Sequence, residues 1–294
     1  SNPDKLVRDY AFNQTIYRFG VRTTEPWYVS GVGSPPIDVI DGQQFSVGVG
    51  AIHSLANTDR ALYWLGDDKA IYRVSGGVNE RVSSDGISNT IEKMATIDDA
   101  FGYAFTLQGQ DFYLITFPTE KQTFVVNEAL GVNGWFNLRS YQDLAYTGTS
   151  LAQIYDKLII GNGGSLLTLK LDEYTQDSDV MIRERITQEI NSDSLGVKGQ
   201  RVKMSRLELI IEQGVGLISG QGEAPRLRIE TSIDGGRSYA HSAWVELGRM
   251  GEHTKRVELF QMASGMGFVF KLTMSDPVPL TISAAAIDLK MVGR

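Results

Sequence analysis

The segment SIDGGRSY, Ser232 to Tyr239, sets a carboxylate, two hydroxyls and an aromatic ring at fixed spacing. It matches the Asp-box pattern S-x-D-x-G-x-[ST]-[aromatic], whose members here are Ser232, Asp234, Gly236, Ser238 and Tyr239. An Asp at this position can accept backbone N–H groups across a hairpin loop, the Gly permits the positive φ that the turn needs, and the aromatic ring can anchor the turn. The pattern therefore predicts a structural turn.

A sharper chemical alternative is a carbohydrate-binding propeller or a glycosidase of sialidase type. Such an enzyme needs an arginine cluster, a Tyr nucleophile with its Glu, and a general acid. The YRFG run at Tyr17 to Gly20 matches the arginine motif only loosely, and one Asp-box stands where several are expected. The carboxylate pairs Asp38 with Asp41 and Asp98 with Asp99 lie at turn-like positions, where capping is commoner than catalysis. We therefore predict that the chain is not an enzyme and has no catalytic residues.

Metal and cofactor chemistry is predicted to be absent. The sequence has no Cys, and its three His residues, His53, His241 and His253, share no ligand spacing. The glycine-rich run from Gly214 to Gly222 lies between two strand-like segments, whereas a dinucleotide-binding loop must lead into a helix. This run is therefore predicted to be a hairpin or bulge loop.

The composition favours a folded chain of many strands. Its 294 residues include 42% hydrophobic residues and 31 glycines, and no run of 18 apolar residues occurs. The chain has no initiator Met and opens on Ser-Asn, a pair typical of cloning scars. We therefore expect a fragment that lacks its natural N-terminal part.

The stretch from Phe112 to Tyr141 predicts a propeller blade. Three apolar-rich runs separated by turn signals close on a Gly-Trp pair, and the preceding GYAFTLQGQD supplies a fourth strand. Similar strand–turn–strand segments occupy 61–74, 103–116 and 151–164. Matching Tyr72, Tyr113 and Ile159 gives steps of 41 and 46 residues, within the range of blade repeats. Three blades cannot close a ring, so either the first 55 residues add a degenerate blade or the missing N-terminal part supplies more.

The remaining pattern divides the chain. Apolar residues at helical spacing predict one short helix between residues 84 and 102. Residues 176–200 are polar and rich in charge, and six runs with period-two alternation follow them. We predict an all-β chain with a β-propeller-like domain over 1–175, possibly an incomplete propeller, then a linker over 176–200, and an antiparallel β-sandwich over 201–294.

The formal charge is −7, from 28 Lys and Arg against 35 Asp and Glu. An acidic surface repels phosphates, so tight non-specific DNA binding is disfavoured. A local basic stretch contains Arg183, Arg185, Lys198, Arg201, Lys203 and Arg206, with carboxylates between them. A solvated strand face or a subunit contact explains this stretch better than a DNA site.

Two groups of residues together carry a family resemblance. The first is Tyr113, Ile115, Thr116, Phe117, Pro118 and Trp135. The second is Arg206-Leu207-Glu208, Glu212, Gly214-Val215-Gly216, Gly220-Gln221-Gly222, the Asp-box, Arg249 with Gly251, and Ser275-Asp276-Pro277-Val278. In this combination the chain resembles the packaged-DNA stabilisation proteins of short-tailed phages, the tail hub or nozzle family. It departs from the family pattern at RERITQEI, in the glycine spacing after Arg249 and at QMASGMGFVF, which puts conserved subunit contacts in doubt.

The resemblance implies a structural virion protein, made in the bacterial host cytoplasm. Its copies would form a ring below the portal and adaptor, retain packaged DNA in the head, and line part of the ejection channel, through which DNA passes without specific binding. A tail needle and tailspikes would be further partners. We expect Arg183, Arg185 and Arg206 to contact a neighbouring subunit and not DNA.

Overall fold

The computed structural model describes residues 4–142, 145–193, 196, 199–260 and 263–291. The opening Ser-Asn pair and Lys198 of the basic stretch lie outside the described residues. The chain divides into two units, Ser1–Leu169 and Lys170–Arg294. Almost every regular element is a strand, which confirms the all-β prediction. Within the described residues no helix is long and apolar enough to span a membrane.

The first unit contains four consecutive antiparallel sheets, which we call blades 1 to 4. Blade 1 consists of β1 (Leu6–Phe12), β2 (Thr15–Gly20), β3 (Thr24–Val29) and β4 (Ile37–Val39). Blade 2 consists of β5 (Ala56–Asn57), β6 (Leu62–Leu65), β7 (Ile71–Ser75) and β8 (Val78–Arg81). Blade 3 consists of β9 (Phe101–Leu107), β10 (Gln110–Phe117), β11 (Gln122–Asn127) and β12 (Trp135–Asn137), and blade 4 of β13 (Gly148–Ile154), β14 (Lys157–Asn162) and β15 (Ser165–Leu169). Of the two alternatives for a further blade, residues 1–55 do contain a four-stranded sheet, and among the described residues no strand of blade 4 pairs with blade 1.

Alternate residues of one strand serve two different cores. In β6, Leu62 and Trp64 pack with blade 1, whereas Tyr63 and Leu65 join the core shared with blade 3. In β10, Tyr113 also belongs to that second core. The period of two explains this division, because successive side chains of a strand point to opposite faces of the sheet. Stacking therefore buries both faces of the interior blades.

The predicted short helix is present as α1 (Asp85–Glu92) between blades 2 and 3. The hydroxyl of Ser84 caps its first turn by accepting the amide of Ile87 at 3.4 Å. Ile91 is fully buried in the core of blades 2 and 3. A 3₁₀ helix (Glu128–Asn133) joins β11 to β12.

The structure corrects the alignment of the sequence repeat. Segment 61–74 forms the second and third strands of its blade, whereas 103–116 and 151–164 form first and second strands. Tyr63, and not Tyr72, is therefore the positional equivalent of Tyr113. The two rings stack directly, with centroids 5.0 Å apart.

The second unit begins with a hairpin of β16 (Thr175–Gln176) and β17 (Asp179–Val180). One sheet contains β18 (Arg183–Ile186), β19 (Ile190–Asn191), β21 (Arg226–Ser232), β22 (His241–Glu246) and β25 (Gly267–Met274). The other contains β20 (Val202–Ile211), β23 (Val257–Phe260), β24 (Ser264–Gly265) and β26 (Ile282–Met291).

The structure differs from the predicted linker over 176–200. Both β18 and β19 from this segment pair with β25 in the second unit, although residues 194, 195, 197 and 198 lie outside the described residues. The charged composition arises because β18 is an edge strand with mostly exposed side chains. An exposed edge strand has little need of the apolar alternation that marks the inner strands.

The two sheets of the second unit enclose one apolar core, which confirms the predicted sandwich. Val202, Met204, Leu207, Leu209 and Ile211 project inward from β20, with a register shift between Met204 and Arg206. The other sheet contributes the following buried residues: Leu227, Ile229, Val245, Phe268, Phe270, Leu272 and Met274. The opposite face of each sheet is exposed and mixes charged residues with apolar ones such as Trp244 and Phe260.

We expect Trp64→Ala to destabilise the first unit by about 3–5 kcal/mol, because it empties the space between blades 1 and 2. Trp64 is fully buried, packs edge-on against Phe19, and donates Nε1–H to the carbonyl of Gly48 at 3.2 Å. Urea unfolding followed by circular dichroism measures the change. Leu166→Ala is the control, since Leu166 is 78% exposed and should change stability by less than about 0.5 kcal/mol. Equal effects of the two substitutions would contradict the stacking described above.

Candidate functional site

All five Asp-box residues meet in the hairpin between β21 and β22. The Ser232 hydroxyl donates to Asp234 Oδ1 at 2.6 Å and accepts the amide of Gly236 at 2.9 Å. Asp234 Oδ1 also accepts the amides of Arg237 and Ser238 at 3.0 and 2.9 Å. Gly236 has φ +86°, and the Tyr239 ring lies beneath the Lys271 ammonium. Hydrogen bonds within the turn therefore stabilise it, which agrees with a structural role.

The electrostatics of this turn favour an ionised carboxylate. Hydrogen bonds from the Ser232 and Ser238 hydroxyls, together with the two amides, hold the pKa of Asp234 below its ordinary value. A carboxylate with a lowered pKa stays charged at neutral pH and cannot serve as a general acid there. Asp234 is therefore suited to holding the turn and not to proton transfer.

A Tyr–Glu pair with an arginine, the constellation that a sialidase-type enzyme requires, is present between blades 2 and 3. The Tyr63 hydroxyl donates to Glu128 Oε2 at 2.6 Å, and Arg73 forms ion pairs with Glu128 and Glu80. However, Tyr63 is only 1% exposed, and burial raises the pKa of its hydroxyl above the ordinary value. No substrate can reach this oxygen, so the pair ties two blades together.

The other candidates for chemistry have local structural roles. Arg18 of the YRFG run pairs with Asp9 at 3.3 Å and lies over the Trp27 ring. Asp99 accepts the amide of Thr119 at 2.9 Å, as a turn cap does. The glycine-rich run 214–222 is a loop between β20 and β21, as predicted. Within the described ranges, no three His, Asp or Glu side chains are grouped so that they could hold a metal ion.

The three arginines predicted as subunit contacts have different surroundings. Arg183 donates from Nη2 to the Asp276 carbonyl at 2.6 Å and lies over Tyr174, and burial lowers the pKa of its guanidinium. Arg185 is exposed, and its side chain has no hydrogen bond or ion pair with a residue that the structure describes. Only Arg185 of this β18 pair is thus available to another chain.

Arg206 belongs to the other sheet, at the centre of an ion network that sequence reasoning missed. Its guanidinium pairs with Glu208 on its own strand, with Glu258 of β23 at 3.1 Å, and with Asp288 of β26 at 3.2 Å. These carboxylates are 2, 52 and 82 residues away, and only the pairing register brings them to one face. No local motif in the sequence could reveal the network.

The fold and these sites define a structural protein built from propeller-like blades and a β-sandwich. Two family models match the chain: "Bacteriophage P22 Gp10, beta-propeller" over residues 1–176 and "Bacteriophage P22 Gp10, beta-sandwich" over residues 188–290. The chain belongs to this family, which confirms the resemblance to tail hub and stabilisation proteins. It is therefore a phage tail protein, located in the virion and interacting with other virion proteins.

Solved structures show only remote likeness. A PorZ component of the type-IX secretion system of Porphyromonas gingivalis has 9% identity and a TM-score of 0.28; the match covers 56% of this chain and 27% of PorZ. A glycoside hydrolase has 12% identity, coverage of 96% and 83%, and a TM-score of 0.26. A family 43 arabinoxylan arabinofuranohydrolase from Bacillus subtilis has 8% identity, coverage of 97% and 66%, and a TM-score of 0.25. These scores carry no argument about function, and no curated protein matches the chain.

We expect Asp234→Ala to lower the stability of the second unit at pH 7 and to have progressively less effect as the pH falls below about 4. The sign follows from the lowered pKa: its stabilisation is complete above the unfolded-state pKa and is lost as the pH falls toward the folded-state pKa. Urea midpoints at pH 7, 5 and 3 measure this dependence. Asp179→Ala is the matched control, because Asp179 is an exposed aspartate of the same unit. A deficit that is constant across this pH range would contradict the assignment.

Proposed function

We propose that this chain forms part of the tail hub, or nozzle, below the portal and adaptor of a short-tailed phage. Copies of the chain assemble in a ring that retains packaged DNA in the head and forms part of the ejection channel. The tail needle and tailspikes are its further partners, and the chain is made in the host cytoplasm before it enters the virion.

The match of two family models, one to each unit, is the observation that carries this proposal. Because both halves belong to the same phage family, the assignment does not depend on the propeller fold, which hosts many functions. The Asp-box and the Tyr63–Glu128 pair are features that could favour a glycosidase. In this chain the Asp-box stabilises a turn, and the Tyr63–Glu128 pair lies in the core between two blades.

The charge distribution supports a channel role. Residues 1–169 contain 12 Lys and Arg against 18 Asp and Glu, a formal charge of −6, whereas residues 170–294 contain 16 against 17, a charge of −1. An acidic wall repels phosphate over a Debye length of about 8 Å at physiological salt. DNA can slide past such a wall without adhering to it.

Subunit contacts in the ring are the proposed role for the exposed arginine of β18. The exposed guanidinium of Arg185, which has no partner among the described residues, is offered to a carboxylate of the neighbouring copy. Arg183 and Arg206 act indirectly, by fixing the strands that present the contact surfaces. DNA is not their proposed ligand.

Removal of the chain from its phage tests the function. We expect particles assembled without it to package DNA and then lose it, so that the DNA becomes sensitive to nuclease, while the purified chain added back restores protection. Quantitative PCR after nuclease treatment gives the retained fraction. Particles that keep their DNA without the chain would overturn the proposed retention role.

A further inference from the structure

A pair of lysines lies directly opposite each other on the exposed face of the sheet formed by β20 and β26. The register places Lys203 against Lys290, and both side chains are exposed. Neither ammonium has a hydrogen bond or ion pair with any residue that the structure describes. Like charges directly opposite on one face destabilise a sheet. The pair therefore calls for an anionic neighbour that the described chain does not supply.

The carboxylates of the same face are already engaged. Glu208, Glu258 and Asp288 surround Arg206, further along the ladder. A third cation, Arg201, lies at the lysine end and donates to the carbonyl of Ser264, the residue opposite Lys203. Asp288, the neighbour of Lys290 on this face, is thus already paired with Arg206, and neither lysine has an ion pair with a described residue.

These lysines border an open cleft that also presents apolar and hydroxyl groups. Phe260, which is 62% exposed, lines it with Ser205, Ile287 and Leu289. The ion-paired side chains Arg206 and Asp288 complete the lining. A phosphate backbone offers no apolar surface to cover an exposed phenyl ring. A polypeptide that carries carboxylates beside apolar side chains can pair with the lysines and also cover the Phe260 ring. We call Lys203, Lys290, Ser205 and Phe260 the lysine cleft.

We infer that the lysine cleft binds a carboxylate-bearing surface of the first unit of a second copy of this chain. Complementary charge identifies this occupant, because residues 1–169 have a formal charge of −6. The contact joins unlike surfaces, so it is heterologous and repeats from copy to copy, which closes a ring when the rotation permits. This inference rests on the proposed ring of copies and names the contact that builds it.

Self-association of the full chain tests this contact. In sedimentation velocity at about 100 µM chain and low salt, we expect the wild type to associate and Lys203→Glu/Lys290→Glu to raise the apparent dissociation constant at least tenfold. Lys203→Arg/Lys290→Arg should retain association. Lys121→Glu/Lys157→Glu is the control, because it makes the same change of charge at exposed lysines of the first unit. Raising the salt should dissociate the wild type.

Zero-length carbodiimide cross-linking identifies the occupant without relying on a variant. In a mixture of ¹⁴N- and ¹⁵N-labelled chains, we expect mixed-isotope peptides that join Lys203 or Lys290 to an Asp or Glu within residues 1–169. A monomeric wild type, links confined to one copy, or loss of the lysine links on adding duplex DNA would overturn the inference. If the lysine variants still form rings and particles still retain DNA, this contact is wrong and the proposed function stands. If rings form through the cleft but particles without the chain retain DNA, the contact stands and the proposed retention function is wrong.

Discussion

Face-to-face burial of consecutive blades is the constraint on which the first unit depends. A blade with neighbours on both sides has no solvent-exposed face, so its inner strands are mostly apolar. The strand Leu62–Leu65 is accordingly buried throughout. Any hydroxyl placed there needs an internal partner, because an unpaired buried polar group is costly. The Tyr63 hydroxyl donates to the Glu128 carboxylate, and the Tyr113 hydroxyl donates to the carbonyl of Ser54 at 2.8 Å. These hydrogen bonds connect blades and loops.

The sandwich obeys a different rule, since each of its sheets buries one face only. The other face is free to hold charges, and their arrangement depends on strand register more than on sequence neighbours. Arg206 gathers carboxylates from three strands, while the Asp-box closes the β21–β22 hairpin and fixes its register. The surface chemistry of the second unit is therefore a product of its strand pairing.

Local signals in the sequence explain why so much of the fold could be predicted. The blade at Phe112 to Tyr141, the capped helix after Ser84 and the Asp-box turn all lie within a few residues of the atoms that stabilise them. The sequence repeat matches Tyr72 to Tyr113, which shifts blade 2 by one strand relative to blade 3. The shift arises because the hairpin of strands one and two has the same sequence pattern as the hairpin of strands two and three. The edge strand β18 was missed since exposure removes its apolar pattern.

Long-range pairing accounts for what the sequence concealed at the candidate site. The Tyr63–Glu128 pair spans 65 residues, and the Lys203–Lys290 pair spans 87, so neither appears as a motif. The exposure of each pair decides what it can do. The Tyr63–Glu128 pair is enclosed and structural, whereas Lys203 and Lys290 are exposed and have no partner among the described residues.

The two ends of the blade stack are chemically unlike, and this asymmetry bears on how the protein is used. At the outer face of blade 1, Arg18 is ion-paired with Asp9 and lies over the Trp27 ring. The outer face of blade 4 presents Ile154 and Leu166 to solvent, and this sheet has three strands where the others have four. Exposed apolar side chains grouped on one sheet face are a feature of surfaces that meet other protein. The end of the stack at blade 4 therefore offers apolar contacts, whereas the end at blade 1 offers a charged pair that already satisfies itself.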